Sequence, residues 1–337
     1  MAQDKVQIDS KPVLSIIEKL DEQFQEPSTN FFKFLENNRH IKKWIIASDY
    51  CLHDKNKPND TMALTIIPCD DIKQLMNNIS ILSPKDIKST SVIDKKFLEY
   101  LNSARLFHLC IIYEKSDMFV SSKQDAEAQI DRIIGMIEDW KTKTDNKDSI
   151  KNYNDWIKKF NKFKNETQKG SFNVRLFQEM VFLNIMVSYF SALIATINKA
   201  NVIGWASDRD TMVEAYNSII FDIVAINYHG ICEYKGYDSD QTKLMCFVQE
   251  LIEDEAGKEL KNMWYDELVR LPDYIAGTFA DLDINSNKST KNKFIQVIED
   301  VAADNNYLEL RKIGFKKDGY IIHKYYKIQS LPNNKVE

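Results

Sequence analysis

The chain has no C-x-x-C pair and no clustered histidines. Its five cysteines (Cys51, Cys69, Cys110, Cys232 and Cys246) are odd in number and widely spaced, and its five histidines show neither H-x-H nor H-x-x-x-H spacing. That argues against a disulfide scaffold and a structural zinc site, and for thiols kept reduced in a cytoplasmic setting. An excess of positive charge is missing too. With 45 basic against 50 acidic residues the formal charge is −5, so any nucleic acid must be met by local patches or by metal ions. The N-terminal stretch MAQDKVQIDSKPVLSIIEKLDEQF carries acids and no sustained apolar core, and does not read as a signal peptide. One long apolar run exists, Met180 to Ile197, and it contains Asn184 and Ser188. It reads as a buried helix, so no membrane partner is expected.

What is present alternates between strand-like and helical patterning. Residues 12 to 38 form a helical lead-in, with Leu14, Ile17, Leu20 and Phe24 at helical spacing. KKWIIASDY and TMALTIIPC read as two strands joined by the polar loop CLHDKNKPND, an antiparallel hairpin with a long connection. Two helices follow, then RLFHLCIIYEK (Arg105 to Lys115), apolar almost throughout and therefore an interior strand. From Ser121 to Gly170 the composition turns to Lys, Asp and Asn, while Ile130, Ile133, Ile134, Ile137, Trp140, Trp156, Ile157, Phe160 and Phe163 keep helical spacing. This is a helical hairpin inserted between core elements. Between Lys141 and Lys169 it holds nine lysines and four acids, a local surplus that suits a phosphate backbone.

The core resumes with a long helix, the strand NVIGWAS, and helical patterning through TMVEAYNSIIFDIVAINYHGICEY and QTKLMCFVQELIEDEAGKELKNMWYDELV. In RLPDYIAGTFADLD, Pro272 suits a first helical turn. The organisation is thus a lead-in (1–39), a core in two halves (40–115 and 172–285), a helical insertion (116–171) and a C-terminal extension (286–337). That extension ends in RKIGFKKDGYIIHKYYKI, which could stack bases and hold phosphates, or serve as a lysine-protected edge strand.

Carboxylates fall where such a core would use them. Asp49 ends the first strand, Asp208 and Asp210 follow a later one, and Asp273 opens a late helix. This is the layout of an α/β RNase H-like fold, a mixed sheet flanked by helices whose acids converge on one sheet edge. Phosphodiester hydrolysis there needs hard divalent cations, which take oxygen ligands. Each acid also has a plainer role: Asp49 a loop start, Asp208 or Asp210 a helix cap, Asp273 a favourable charge in a first helical turn. The small residues Ala276 and Gly277 would let the late helix approach the sheet. Glu179, in an apolar helical run, is either on a solvent stripe or a fourth metal ligand, and Arg209 reads as an ion-pair partner.

The segments DIKSTSVIDKKFLEYL, IIYEK, GWASDRD and VRLPDYIAG resemble the bacterial family carried as domain of unknown function number 3800, of the RNase H-like superfamily. The resemblance covers roughly residues 40 to 115 and 172 to 285. It implies a metal-dependent nuclease or phosphodiesterase in the bacterial cytoplasm, in defence against phage or mobile DNA, with Mg²⁺ or Mn²⁺ held by Asp49, Asp208 and Asp273; Asp210 and Glu179 are further candidate ligands by their own positions in the sequence. One departure stands out. The family typically opens with an Asp-Glu-Ser-Gly-like sequence, and this chain has Ser48-Asp49-Tyr50-Cys51. The alternative is therefore a catalytically degenerate module of the same fold that binds nucleic acid, or a protein through its helical insertion.

Overall fold

Two apolar runs separated by a polar loop open the sheet. The computed structural model describes residues 11–25, 29–83, 85–113, 120–247, 263–315 and 321–330. After α1 (Lys11–Phe24) and α2 (Asn30–Asn37), the runs form β1 (Lys43–Cys51) and β2 (Thr61–Pro68). They pair antiparallel, with Trp44 opposite Pro68 and Cys51 opposite Thr61. Helices α3 (Ile72–Leu82) and α4 (Lys95–Leu101) lead to β3 (Phe107–Tyr113), antiparallel to β2. Asp71 and Asp94 cap the two helices by accepting from backbone N–H groups, which satisfies donors a helix start leaves open.

The lysine-rich stretch forms α5 (Lys123–Thr142) and α6 (Lys147–Thr167), followed by α7 (Val174–Asn198), β4 (Val202–Ser207), α8 (Thr211–Ser218) and α9 (Ile220–Tyr234). Then come β5 (Lys243–Cys246), α10 (Asp266–Asp281), α11 (Asn292–Val297), β6 (Leu308–Phe315) and β7 (Ile321–Tyr326). The seven strands lie in the order β5-β4-β1-β2-β3-β6-β7. β4 runs parallel to β1, β5 to β4 and β6 to β3, while β7 is antiparallel to β6. The protein is thus of the α/β class with a mixed sheet.

Helices cover both faces, which is why the central strands are apolar nearly throughout. Successive strand residues point to opposite faces. Trp44, Ile46 and Tyr50 of β1 join Trp205 of β4 in the core beneath α1, α2, α5, α7 and α9. Ile45 and Ala47 join Ala206 in the core shared with α3, α4, α10 and α11. The inserted hairpin belongs to the first core through Ile130, Ile133, Ile137, Phe160 and Phe163. Each such side chain contributes on the order of 1.5–3 kcal/mol on burial. The 25-residue α7, apolar and long enough to cross a membrane, has 89% of its apolar window buried inside the protein.

Three local expectations are corrected. Lys243–Cys246 is a strand, because tertiary pairing with β4 overrides its helical patterning; residues 248–262 of that stretch lie outside the described residues. The helical pattern after Thr211 breaks at Tyr216, Asn217 and Ser218, all with positive φ, separating α8 from α9. Pro272 sits well inside α10 rather than in its first turn, so Asp273 gains nothing from a helix start.

Candidate active site

β1 and β4 run parallel, so their carboxyl ends share one edge of the sheet. Ser48 is in register with Ser207, and the Asp208 N–H donates to the Ser48 carbonyl at 2.9 Å. By strand alternation Asp49 and Asp208 both point to the face that carries α10, opposite the Tyr50 side chain. α10 is tied across that face at several points. Thr61 Oγ1 donates to the Ala276 carbonyl at 2.9 Å, and the Asn59 amide donates to the carbonyls of Phe279 and Leu282 at 2.9 and 2.7 Å.

Asp273 projects from the middle of this helix. Its Oδ2 accepts from the Ile87 N–H at 2.8 Å, at the 3₁₀ turn Ile87–Ser89. Gly277 makes that approach possible, since a Cβ there would lie 3.2 Å from Ile87 Cγ2. The small residue thus admits the 3₁₀ turn, while Ala276 meets β2.

A directional chain of hydrogen bonds holds the two strand ends together on the opposite face. The Trp205 indole can only donate, and it donates to Ser48 Oγ at 2.9 Å. Ser48 Oγ then donates to Tyr50 Oη at 2.5 Å, Tyr50 Oη to Ser207 Oγ at 2.7 Å, and Ser207 Oγ to the Asp208 carbonyl at 3.1 Å. Tyr50 therefore braces the two strand ends from beneath.

The acids strain one another. Asp49 and Asp273 are each 8% exposed. Burial, then the charges of Asp273 and Asp208, hold the Asp49 carboxyl well above the usual carboxylate range. Burial lifts Asp273 to about 6 against the lowering influence of the Ile87 N–H, and burial also raises Asp208. Lys88 answers this charge. Burial lowers its pKa, but the attraction of Asp273, Asp49 and Asp208 outweighs that and raises it.

Two buried carboxylates, Asp49 and Asp273, and the half-buried Asp208 repel one another, and such oxygen donors are the chemistry a hard divalent cation suits. Among the described residues, however, no three His, Cys, Asp or Glu side chains form a ready-made metal centre. The Lys88 ammonium supplies part of the compensating charge. No family model matches the chain, and no curated protein or solved structure matches it.

The other expected ligands stand apart. Asp210 occupies the N-terminal boundary of α8, where its carbonyl accepts from Val213 and Glu214. Its charge reaches Asp208. Arg209 pairs with Asp266 at 3.3 Å. Glu179 is on the wrong side of the sheet, because α7 covers the face away from Asp49. Its carboxylate takes His53 Nε2 at 3.0 Å and Arg175 Nε at 3.4 Å. Burial raises its pKa and these two partners oppose the rise.

Two features had escaped sequence reasoning. Lys88, in a polar stretch with no periodicity, gave no signal of its closeness to three acids. His53 had seemed isolated because Glu179 and Arg175 lie more than a hundred positions further on. His108, by contrast, is a satisfied core histidine. It accepts from Thr65 Oγ1 at 2.9 Å through Nδ1 and donates to the Leu101 carbonyl at 3.0 Å, and burial lowers its pKa to about 4.

Proposed function

We propose that the protein is a metal-dependent phosphodiester hydrolase, a nuclease or phosphodiesterase of RNase H-like type. The observation that carries this reading is the meeting of Asp49, Asp208 and Asp273 at one end of one sheet face, with Lys88 beside them. Acids from the first strand, a later strand and a late helix are the layout expected of that fold. The antiparallel strands β1, β2 and β3, continued beyond β1 by the parallel strands β4 and β5, agree with it. Asp49, Asp208 and Asp273 would hold Mg²⁺ or Mn²⁺, an ion that supplies water activation and neutralisation of phosphate charge. Lys88 adds a fixed positive charge for a bound phosphate, and the hydroxyl chain through Tyr50 keeps the spacing of the two strand ends. The setting would be the bacterial cytoplasm, in defence against phage or mobile DNA, by analogy of fold and family alone.

A second reading is a degenerate binding module, favoured by the partial replacement of a metal's charge by the Lys88 ammonium. The experiment that separates them is Mn²⁺ calorimetry together with cleavage of single- and double-stranded DNA and RNA. The hydrolase takes up Mn²⁺ and cleaves at least one substrate, and Asp273→Asn lowers that cleavage by about a hundredfold or more while the fold survives. A wild-type protein that neither binds Mn²⁺ nor cleaves any substrate is the binding module.

A further inference from the structure

The inserted hairpin leans on α9 at Gly230, where a Cβ would lie 2.4 Å from Met136 Cε and 3.9 Å from Trp140. Beside this contact, between the hairpin and the turn that follows α9, lies a cavity of about 730 Å³. Ligand sites typically span roughly 300–1,000 Å³. Trp140, Tyr153 and Trp156 line it, with successive ring centroids 6.3 and 6.2 Å apart.

The charge of its wall is one-sided. Asp155, Glu233, Asp238 and Asp240 face a single cation, Lys143. Burial keeps His229 below its usual range, so it adds no charge at neutral pH, although Asp240 opposes that shift. Glu233 is already engaged, accepting from Trp140 Nε1 at 2.8 Å and from Lys143 at 3.0 Å. Asp155, Asp238 and Asp240 form no ion pair among the described residues. Two of the hairpin's other lysines are held in ion pairs, Lys159 with Asp222 and Lys164 with Asp131, and none but Lys143 lines the cavity. A phosphate backbone would be repelled here.

Aromatic faces beside uncompensated carboxylates attract a cation on an apolar stem, which gains from ring quadrupoles and from charge together. The geometry points to this cavity as a binding site for an organic cation, a guanidinium or alkylammonium group carried by a small molecule or by a basic side chain of a polypeptide. The site lies away from the aspartate cluster and does not depend on the reading of that cluster.

The test is tryptophan fluorescence of the full chain titrated with argininamide, with citrullinamide as the uncharged isostere, both Nα-acetylated to remove the α-ammonium, and with a hexapeptide containing one arginine. Argininamide saturates the signal and citrullinamide binds about tenfold more weakly or worse. Asp155→Asn together with Asp240→Asn weakens argininamide several-fold, while Lys143→Ala tightens it by releasing Glu233. Thermal melts confirm that the variants stay folded. A hexapeptide that binds more than about tenfold tighter than argininamide identifies a polypeptide ligand, and equal affinity identifies a free small cation. Equal binding of argininamide and citrullinamide, or no saturable change by about 10 mM, overturns the proposal.

Discussion

The Ile87 N–H donates to Asp273 Oδ2 at 2.8 Å, joining the 3₁₀ turn before α4 to the middle of α10. One carboxylate oxygen is therefore committed to the backbone, and the other remains for the cluster. Because the bond favours the ionised form while burial opposes it more strongly, Asp273 titrates near 6.

That shift makes stability depend on pH with a definite sign. A carboxyl raised from 3.8 to about 6 gives stability that is fully present below the unfolded value and is lost as pH rises through 6. His108, lowered from 6.5 to about 4, contributes stability that is present above 6.5 and is lost as pH falls through 4. Each shift corresponds to on the order of 3 kcal/mol, and in the metal-free protein the two slopes oppose one another between these limits. Asp273→Asn keeps an acceptor for Ile87 and removes one slope. Urea unfolding in chelator from pH 4 to 7 should show stability rising more, or falling less, with pH in the variant than in the parent. Identical profiles would refute the assignment.

Lys88 is the cation nearest in effect to all three acids. Lys88→Ala removes a competitor for metal and leaves the carboxylates uncompensated when metal is absent. The expected outcome is tighter Mn²⁺ binding by calorimetry, together with a lower melting temperature in chelator. An unchanged Mn²⁺ affinity would mean that the ammonium only covers the cluster from outside.

His53 and Glu179 report on the other face of the sheet. His53→Ala takes the 3.0 Å partner from a buried carboxylate and should destabilise the fold by about 1–3 kcal/mol. Metal binding and cleavage should stay within about twofold of the parent, because the strands separate Glu179 from Asp49. A loss of Mn²⁺ affinity in this variant would bring Glu179 back among the ligands.

Much of this arrangement was legible in the sequence, for reasons visible in particular residues. The strands announced themselves through runs such as WIIA and LTII, and the hairpin through isoleucines at helical spacing. Asp49 and Asp208 were legible because each stands just past a serine at the end of an otherwise apolar strand pattern, WIIAS and VIGWAS. Asp273 was legible through the small residues Ala276 and Gly277, while the helix start suggested by Pro272 lies earlier, at Asp266. Glu179 was misplaced because an apolar helical run does not reveal which face of the sheet it will cover. Lys88 and the partners of His53 depend on contacts between segments far apart in the chain, and local pattern carries no trace of those.

Tyr50 offers a test of geometry that spares every charge. Its hydroxyl is the middle of the chain running from Trp205 to the Asp208 carbonyl, and burial raises its pKa. Tyr50→Phe keeps the ring and strands Ser48 and Ser207 without their shared partner, at a cost of about 1–3 kcal/mol. The strand ends that carry Asp49 and Asp208 would then keep the Asp208 N–H bond to the Ser48 carbonyl and the Trp205 bond to Ser48 Oγ but lose the link from Ser48 to Ser207, so their spacing should loosen. Positioning effects of this kind cost turnover rather than fold. The expected result is cleavage lowered by about tenfold or more, with Mn²⁺ still bound and restoration of neither by added metal. A variant that loses stability yet cleaves at the parent rate would show that the hydroxyl chain serves the fold and leaves the site's geometry to α10.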